Sequence, residues 1–176
     1  MGDLDAQLAV LVVLRAMAAR IFRGVLAGFC ICWSLGAHAR GPEPRIWVNA
    51  GVLSLHFDRD KDLREDNVGL GVEAVLRRDH AVMAGTFINS NRARTRYAGY
   101  AWRPLHWQAG GAEISAGAAA GVFDGYPNYR NGDWFLAALP LLAIEGRRVG
   151  LNVYAVPTIR NRLDGALAFQ LKVSLP

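Results

Sequence analysis

The chain has only two cysteines in 176 residues, Cys30 and Cys32, and both fall near its N-terminus. Everything beyond them lacks a thiol, which excludes a disulfide, a cysteine nucleophile and cysteine metal ligation there. Histidine is almost as scarce: His38, His56, His80 and His106 are the full set, and no two have metal-ligand spacing. No metal and no soluble cofactor are expected. Helical periodicity is missing from residue 45 onward, and there is no helix-turn-helix, RNA-recognition or zinc-finger pattern. The formal net charge of +5 is therefore not a reason to expect nucleic acid. A basic exported protein suits an anionic surface instead.

The apolar residues at the N-terminus are grouped. Arg20 and Arg23 precede an apolar run over 24–36 that closes in Ala37-His38-Ala39. A positive n-region, an apolar segment too short to span a membrane and a small-x-small site read as a secretory signal over 1–39. Residues 40–176 are then the exported domain. Met17 is read as the natural start, because 8–14 forms a second apolar stretch ahead of the signal. A membrane anchor is the alternative, and three arginines break the combined stretch.

From residue 45 the chain alternates. In 52–58, Leu53, Leu55 and Phe57 share one face and Ser54, His56 and Asp58 the other, as a side-chain period of two demands. Eight strands are expected, over 45–58, 68–77, 81–89, 96–103, 111–123, 134–144, 149–156 and 165–175. The connections alternate as well. Those over 77–80, 104–110 and 145–148 are short or compact, whereas 59–67, 90–95, 124–133 and 157–164 are polar and mostly longer.

This is the pattern of an all-β, eight-stranded antiparallel up-and-down transmembrane β-barrel of the outer-membrane type, with short inner turns and longer outer loops. A soluble eight-stranded barrel would share the meander. Against it stand Trp47, Tyr100, Trp102 and Trp134, expected to face lipid near strand ends, and the Ala/Gly-rich fifth strand.

That topology takes His56 and Asp58 to the outer end of the first strand and Asn89-Ser90 to the outer end of the third. A histidine near a hydroxyl is the minimum for base-assisted acyl transfer. Serine and asparagine at a strand end are also ordinary turn residues, and a histidine inside a barrel can make a plain structural hydrogen bond. His80 and His106 are expected as solvated turn residues at the other end. Glu73, on a face with Gly69, Gly71 and Val75, is expected to point inward and to require a partner, for which Arg103 is the candidate.

Several segments resemble the lipid A palmitoyltransferases (PagP): Phe57 with Asp60-Lys61, Gly69-Leu70-Gly71, Ala98-Gly99-Tyr100-Ala101-Trp102-Arg103-Pro104-Leu105, and Tyr154-Ala155-Val156-Pro157. The likeness covers about residues 46–175, and 98–105 is its most specific part. It implies an outer-membrane barrel that moves a palmitoyl or similar chain from a glycerophospholipid to lipid A. It also implies a catalytic His and an Asp-Ser pair at the outer rim.

By position, Asn89-Ser90 stands where the family has Asp-Ser. The family's histidine position falls on Ser54, two residues before His56 and on the same face. The resemblance thus assigns His56 as general base, Ser90 as nucleophile or catalytic hydroxyl, and Asn89 with Asp58 as orienting groups. Ser54, Gly99 and Ala101 are expected along the substrate, with Ala101 where the family has a glycine at the floor of its acyl pocket. Arg92 and Arg94, with Arg96, Arg160 and Arg162, are expected near lipid A phosphates.

In the family, prolines such as Pro140 and Pro157 loosen strand pairing so that lipid enters sideways; a strand end or a bulge is the alternative, at Pro157 above all. The expected partners are the phospholipid donor, the lipid A acceptor and the outer membrane; no nucleic acid is expected, and the protein is expected as a monomer. The rival readings are a non-catalytic surface-protective barrel and a lipid A deacylase. The first is separated by whether His56 and Ser90 reach a common carbonyl, and the second by the absence of a His-x-Ser order.

Overall fold

Eight strands follow one another in the computed structural model, which describes residues 44–159 and 163–176. They are β1 (Arg45–His56), β2 (Asp66–Arg77), β3 (His80–Ile88), β4 (Arg94–Ala109), β5 (Ala112–Phe123), β6 (Phe135–Glu145), β7 (Val149–Val156) and β8 (Ala166–Ser174). Each pairs antiparallel with the next, and β1 pairs with β8 to close the barrel. The expected leader, with Cys30, Cys32 and His38, lies outside the described residues, as do Arg160 and Arg162. The short turns collect at one end of the barrel and the four longer connections at the other.

The two faces of the wall carry opposite chemistry. Outside, Leu53, Leu70, Val72 and Leu136 are 52%, 64%, 52% and 76% exposed. Inside, Asn49, Glu73, Asn152 and Lys172 are at most 1% exposed. A barrel in water would reverse this arrangement, because burying charge and exposing aliphatic side chains both oppose folding there. The distribution is the one expected of a barrel bathed in hydrocarbon.

Two irregularities change what the alternation predicts. Register slips between Ala50 and Val52 against β2, and between Asn49 and Val52 against β8. This bulge turns odd-numbered residues inward below it and even-numbered ones inward above it. Trp47 and Asn49 therefore share the interior with Ser54 and His56. Trp47, expected to face lipid, is fully buried beneath the Arg45 guanidinium at 4.3 Å and beside the Lys172 ammonium at 4.9 Å. Gly51 permits the bulge, since a Cβ there would stand 2.3 Å from the Asn67 carbonyl oxygen.

The second irregularity is at Pro104. It does not end β4 as expected, but sits in a register shift between Trp102 and Leu105 where its missing N–H disrupts no regular ladder. The strand runs on to Ala109, and Gly110 and Gly111 make the turn at φ 58° and 81°. Tyr100, Trp102 and Trp134 are exposed as expected, and Trp107 joins them from the extension of β4.

The extension also relocates His106. Expected in a solvated turn, it is nearly buried, with Nε2 2.9 Å from Asp79 Oδ1 and Nδ1 3.0 Å from Glu113 Oε1. His80 opens β3, where its ring stacks on Tyr100 and its Nδ1 is hydrogen-bonded to the Tyr100 hydroxyl.

The turn-end half of the interior is closed by charge. Lys172 Nζ donates to Glu73 Oε1 at 2.8 Å and to Glu145 Oε1 at 2.6 Å. Arg103 Nη1 donates to Glu145 Oε1 at 2.9 Å and lies 3.6 Å from Glu73 Oε1. Glu73 thus points inward and meets Arg103, as its position on β2 implied. Two cations offset two anions in a space that isolated charges could not occupy.

Candidate functional site

The loop-end half of the interior is open. A cavity of about 320 Å³ descends into it, walled below by small and apolar side chains, among them Gly99, Ala119, Gly121, Leu139 and Ala168. Its rim is polar. Ser54, His56, Lys61, Asn67 and Ser90 all line it, so the structure brings together at one mouth residues from β1, β2 and two loops.

His56 and Ser54 reach the cavity because they are the last inward positions of β1, opposite Ala166 and Ala168 of β8. Neither alanine fills the space in front of them. Both polar residues are buried, at 7% and 4% exposure. His56 Nδ1 has no hydrogen-bond partner among the described residues. Buried ring nitrogens are normally paired, so this one is a cost that the fold carries, while the ring as a whole lines the cavity.

Ser54 is held from the side. With the Asn67 amide turned so that Nδ2 donates to the carbonyls of Arg64 and Ile88, both at 3.2 Å, Oδ1 accepts the Ser54 hydroxyl at 2.6 Å. This orientation satisfies every atom of the buried amide.

Ser90 sits in the turn after β3, half-buried, and its carbonyl accepts the Arg64 N–H at 3.0 Å. That bond docks the β1–β2 loop on the β3–β4 loop. Asn89 shapes the same turn. Its Oδ1 accepts the N–H groups of Asn91 and Ala93 at 2.9 and 3.1 Å, while Nδ2 donates to Thr95 Oγ1 at 3.1 Å and the Gly125 carbonyl at 2.7 Å. The amide is fully engaged and does not orient the His56 ring, contrary to expectation. It fixes the loop that carries Ser90.

Asp58 is likewise not brought to the imidazole. It lies beyond the end of β1, exposed, where Oδ1 accepts the Asp60 N–H at 3.2 Å and Oδ2 stands 3.7 Å from Lys61 Nζ. Once the strand has ended, the period of two no longer governs where a side chain points.

The remaining expected residues divide. Gly99 lines the cavity, whereas Ala101 is fully buried in the packing with Ala81, Ala119 and Leu141 and does not line it. Arg92 donates to Asp62 Oδ2 at 3.0 Å, and Arg96 is clamped to Asp124 at 2.6 Å with its guanidinium 5.4 Å above the Trp134 ring. Arg94 is exposed at the start of β4.

Sequence reasoning missed Asn67, Lys61 and Tyr126. Asn67 carried a usable signal, being on the inward parity of Gly69, Gly71 and Glu73. Tyr126 carried none, because it reaches the cavity from a loop. Packed edge-on against Phe135 at 5.6 Å, it has its phenol pushed by burial up to about 12.

The wall beside the cavity is incomplete. β6 pairs with β7 only from Leu141 to Glu145, so residues 135–140 pair with β5 alone. Ala155 and Val156 of β7 pair with β8 alone. Pro140, which has no N–H to donate, stands at the lower edge of this gap, and Leu139 and Val156, both within the unpaired stretch, line the cavity.

No family model matches the chain. It is similar to the lipid A acyltransferase PagP of Laribacter hongkongensis (strain HLHK9), with 33% identity over 129 residues. The match covers 65% of this chain and spans about 59% of the length of that relative, a distant relationship between two chains of which this one is a closed eight-stranded β-barrel.

Proposed function

We propose that the protein is an outer-membrane acyltransferase that moves a palmitoyl or similar chain from a glycerophospholipid to lipid A. The observation that carries this reading is the cavity: a polar rim with His56, Ser54 and Ser90 above an apolar shaft, inside a barrel whose outer wall is apolar. The distant likeness to a lipid A acyltransferase supports it independently.

In this reading a donor phospholipid enters through the gap between β6 and β7, and its acyl chain lies in the shaft with the ester at the rim. The His56 imidazole takes the proton of the attacking hydroxyl. The acceptor oxygen bonds to the acyl carbon, the bond from that carbon to the glyceryl oxygen breaks, and the proton passes from the imidazole to that oxygen. The products are acylated lipid A and a lysophospholipid. The Ser90 hydroxyl serves as the catalytic hydroxyl at the ester, and Asn89 holds it there through the turn. Ser54, fixed by Asn67, accepts a hydrogen bond at the rim. No step calls for a metal or a soluble cofactor.

Mass spectrometry of lipid A from cells with and without the gene tests the reading. A species heavier by one acyl group should be present only with the gene. Identical lipid A profiles under conditions in which the protein is folded in the membrane would defeat it.

A further inference from the structure

The bottom of the shaft is not wholly apolar. Three of its lining groups are Tyr97, Gln170 and Tyr154, and they are joined: Gln170 Nε2 donates to Tyr97 Oη and Tyr154 Oη donates to Gln170 Oε1, both at 3.4 Å. The chain of bonds continues downward. Asn152 Nδ2 donates to Tyr154 Oη at 3.3 Å and to Glu73 Oε2 at 2.7 Å, and Glu73 belongs to the buried charge cluster with Lys172, Glu145 and Arg103. On the β7–β8 side the apolar shaft therefore ends on a plate of phenols and an amide wired to four buried charges, while Met83, Gly99 and Ala119 line it opposite.

The plate is held in place. The Tyr97 hydroxyl lies over Gly71 and Gly85, neighbours in register on β2 and β3, and a Cβ on either would stand 2.4 or 2.7 Å from it. Below the plate both side-chain atoms of Asn49 and the Oδ1 of Asn152 are buried without a partner among the described residues. A hydrocarbon end pushed past the plate would separate the Tyr97, Gln170 and Tyr154 groups and strip polar atoms of their partners, which an apolar chain cannot replace.

We propose that this polar plate, with Gln170 at its centre, determines the length of acyl chain the cavity accepts, by the cost of desolvating it and not by steric closure at Ala101. The proposal rests on the reading of the cavity as an acyl-chain site. Gln170 is a specificity-determining residue in that reading, and Tyr97 and Tyr154 act with it.

A binding series that does not depend on catalysis tests it. Single-chain phosphocholines of increasing length, bound to the folded full-length barrel, should gain affinity by roughly fourfold per methylene while the chain end is in the shaft. The gain should stop at the length that meets the plate. Gln170→Met keeps the size and removes the polarity, and should move that break by at least one methylene. The first chain beyond the parent's limit would then bind roughly fourfold tighter to the variant than to the parent. Tyr154→Phe, which removes only a hydroxyl, should move it in the same direction and serves if Gln170→Met does not fold. Ala101→Gly should leave the break where it is.

A break unmoved in both polar-to-apolar variants, or moved only by Ala101→Gly, overturns the proposal in favour of steric closure. Transfer measured in parallel with the parent protein separates the two questions. A parent that binds the series with a break yet transfers no chain removes the enzyme reading, and the variants still decide the plate.

Discussion

The two halves of the barrel interior handle polar groups in opposite ways. At the turn end, Glu73, Arg103, Glu145 and Lys172 are packed at 2.6 to 3.6 Å from one another and leave no shaft between them. At the loop end, His56 has an unpartnered ring nitrogen and the space before it is open. Paired charge closes a barrel, because each ion's desolvation is offset only by contact with its partners. Polar residues that line an open cavity have the reverse meaning: His56, Ser54 and Ser90 do not close the barrel, and a ligand that enters would meet them. The same wall thus holds a structural half and a chemical half, and substitutions should sort between them.

The largest effect is expected from breaking the charge cluster. Glu73→Gln or Lys172→Met alone leaves surplus buried charge and should destabilise the barrel by about 3–5 kcal/mol. Replacing both together, with charge balance restored, should recover a large share of that. Urea unfolding in lipid vesicles checks this. Single variants as stable as the parent would show that water reaches the cluster and that the turn-end half is not closed.

The chemical half should respond in the opposite sense. His56→Ala and Ser90→Ala should each lower acyl transfer by about 10²–10⁴-fold, the usual contribution of a positioned acid–base group. Both should leave a barrel that still migrates as folded on unboiled gels. Retained transfer in both variants would remove these residues from the catalytic assignment without touching the fold. A large loss of stability in either would erase the contrast between the halves.

Between these extremes stands Asn89, which belongs to the chemical half by position and to the structural half by its bonds. Asn89→Asp keeps the acceptor oxygen for the Asn91 and Ala93 N–H groups but loses the Nδ2 bonds to Thr95 and Gly125. A lost buried hydrogen bond is worth about 1–3 kcal/mol. The variant should lose stability in that range and lose transfer only in so far as the Ser90 turn loosens. A pH–rate profile separates this from a direct role. Asn89→Asp should not change the position of the profile, because the side chain does not touch the imidazole.

How much of this was legible in the sequence follows the reach of the two-residue period. Wherever a strand runs unbroken, side-chain direction can be read off, and Leu53, Leu55 and Phe57 do face out while Ser54 and His56 face in. The inward placement of Glu73 and its meeting with Arg103 followed from the same parity plus the cost of an unpaired buried charge.

The period fails where a bulge resets it. Gly51 carries no side chain to announce that Trp47 changes sides, and Pro104 looks like a strand end when it is a bulge inside a strand. In the candidate site, parity brought His56 and Ser54 to the cavity. Asp58 fails because β1 ends at His56, two residues short of the expected strand, and Asn89 took its role from the resemblance, which does not show where its amide is bonded. The plate at Gln170 is hidden for another reason: its members stand on three strands, β4, β7 and β8, and nothing local in the sequence shows which polar interior residues will join.

The smallest effect concerns the rim, where the two kinds of region meet. Lys61 lines the cavity mouth, and its Nζ is bonded to Asp164 Oδ1, tying the β1–β2 loop to the β7–β8 loop, with Asp58 3.7 Å away. The hydrogen bond to Asp164, and then the nearby carboxylate charges of Asp164 and Asp58, raise the Lys61 pKa above the ordinary lysine value; burial opposes them. A lysine whose folded pKa is raised contributes its stabilisation in full below the unfolded pKa and loses it as pH rises through the folded one. The tether should therefore be constant up to about pH 9 and weaken only in strongly alkaline solution, above the ordinary lysine range. Exposed as it is, the pair should be screened by salt and add little to barrel stability. Lys61→Met should leave unfolding unchanged within error and alter the KM for phospholipid more than kcat, since it frees two loops at the mouth without touching the ester. A pH–rate profile for Lys61→Met that departs from the parent's below about pH 9 would show that Lys61 acts on the reaction and is more than a tether.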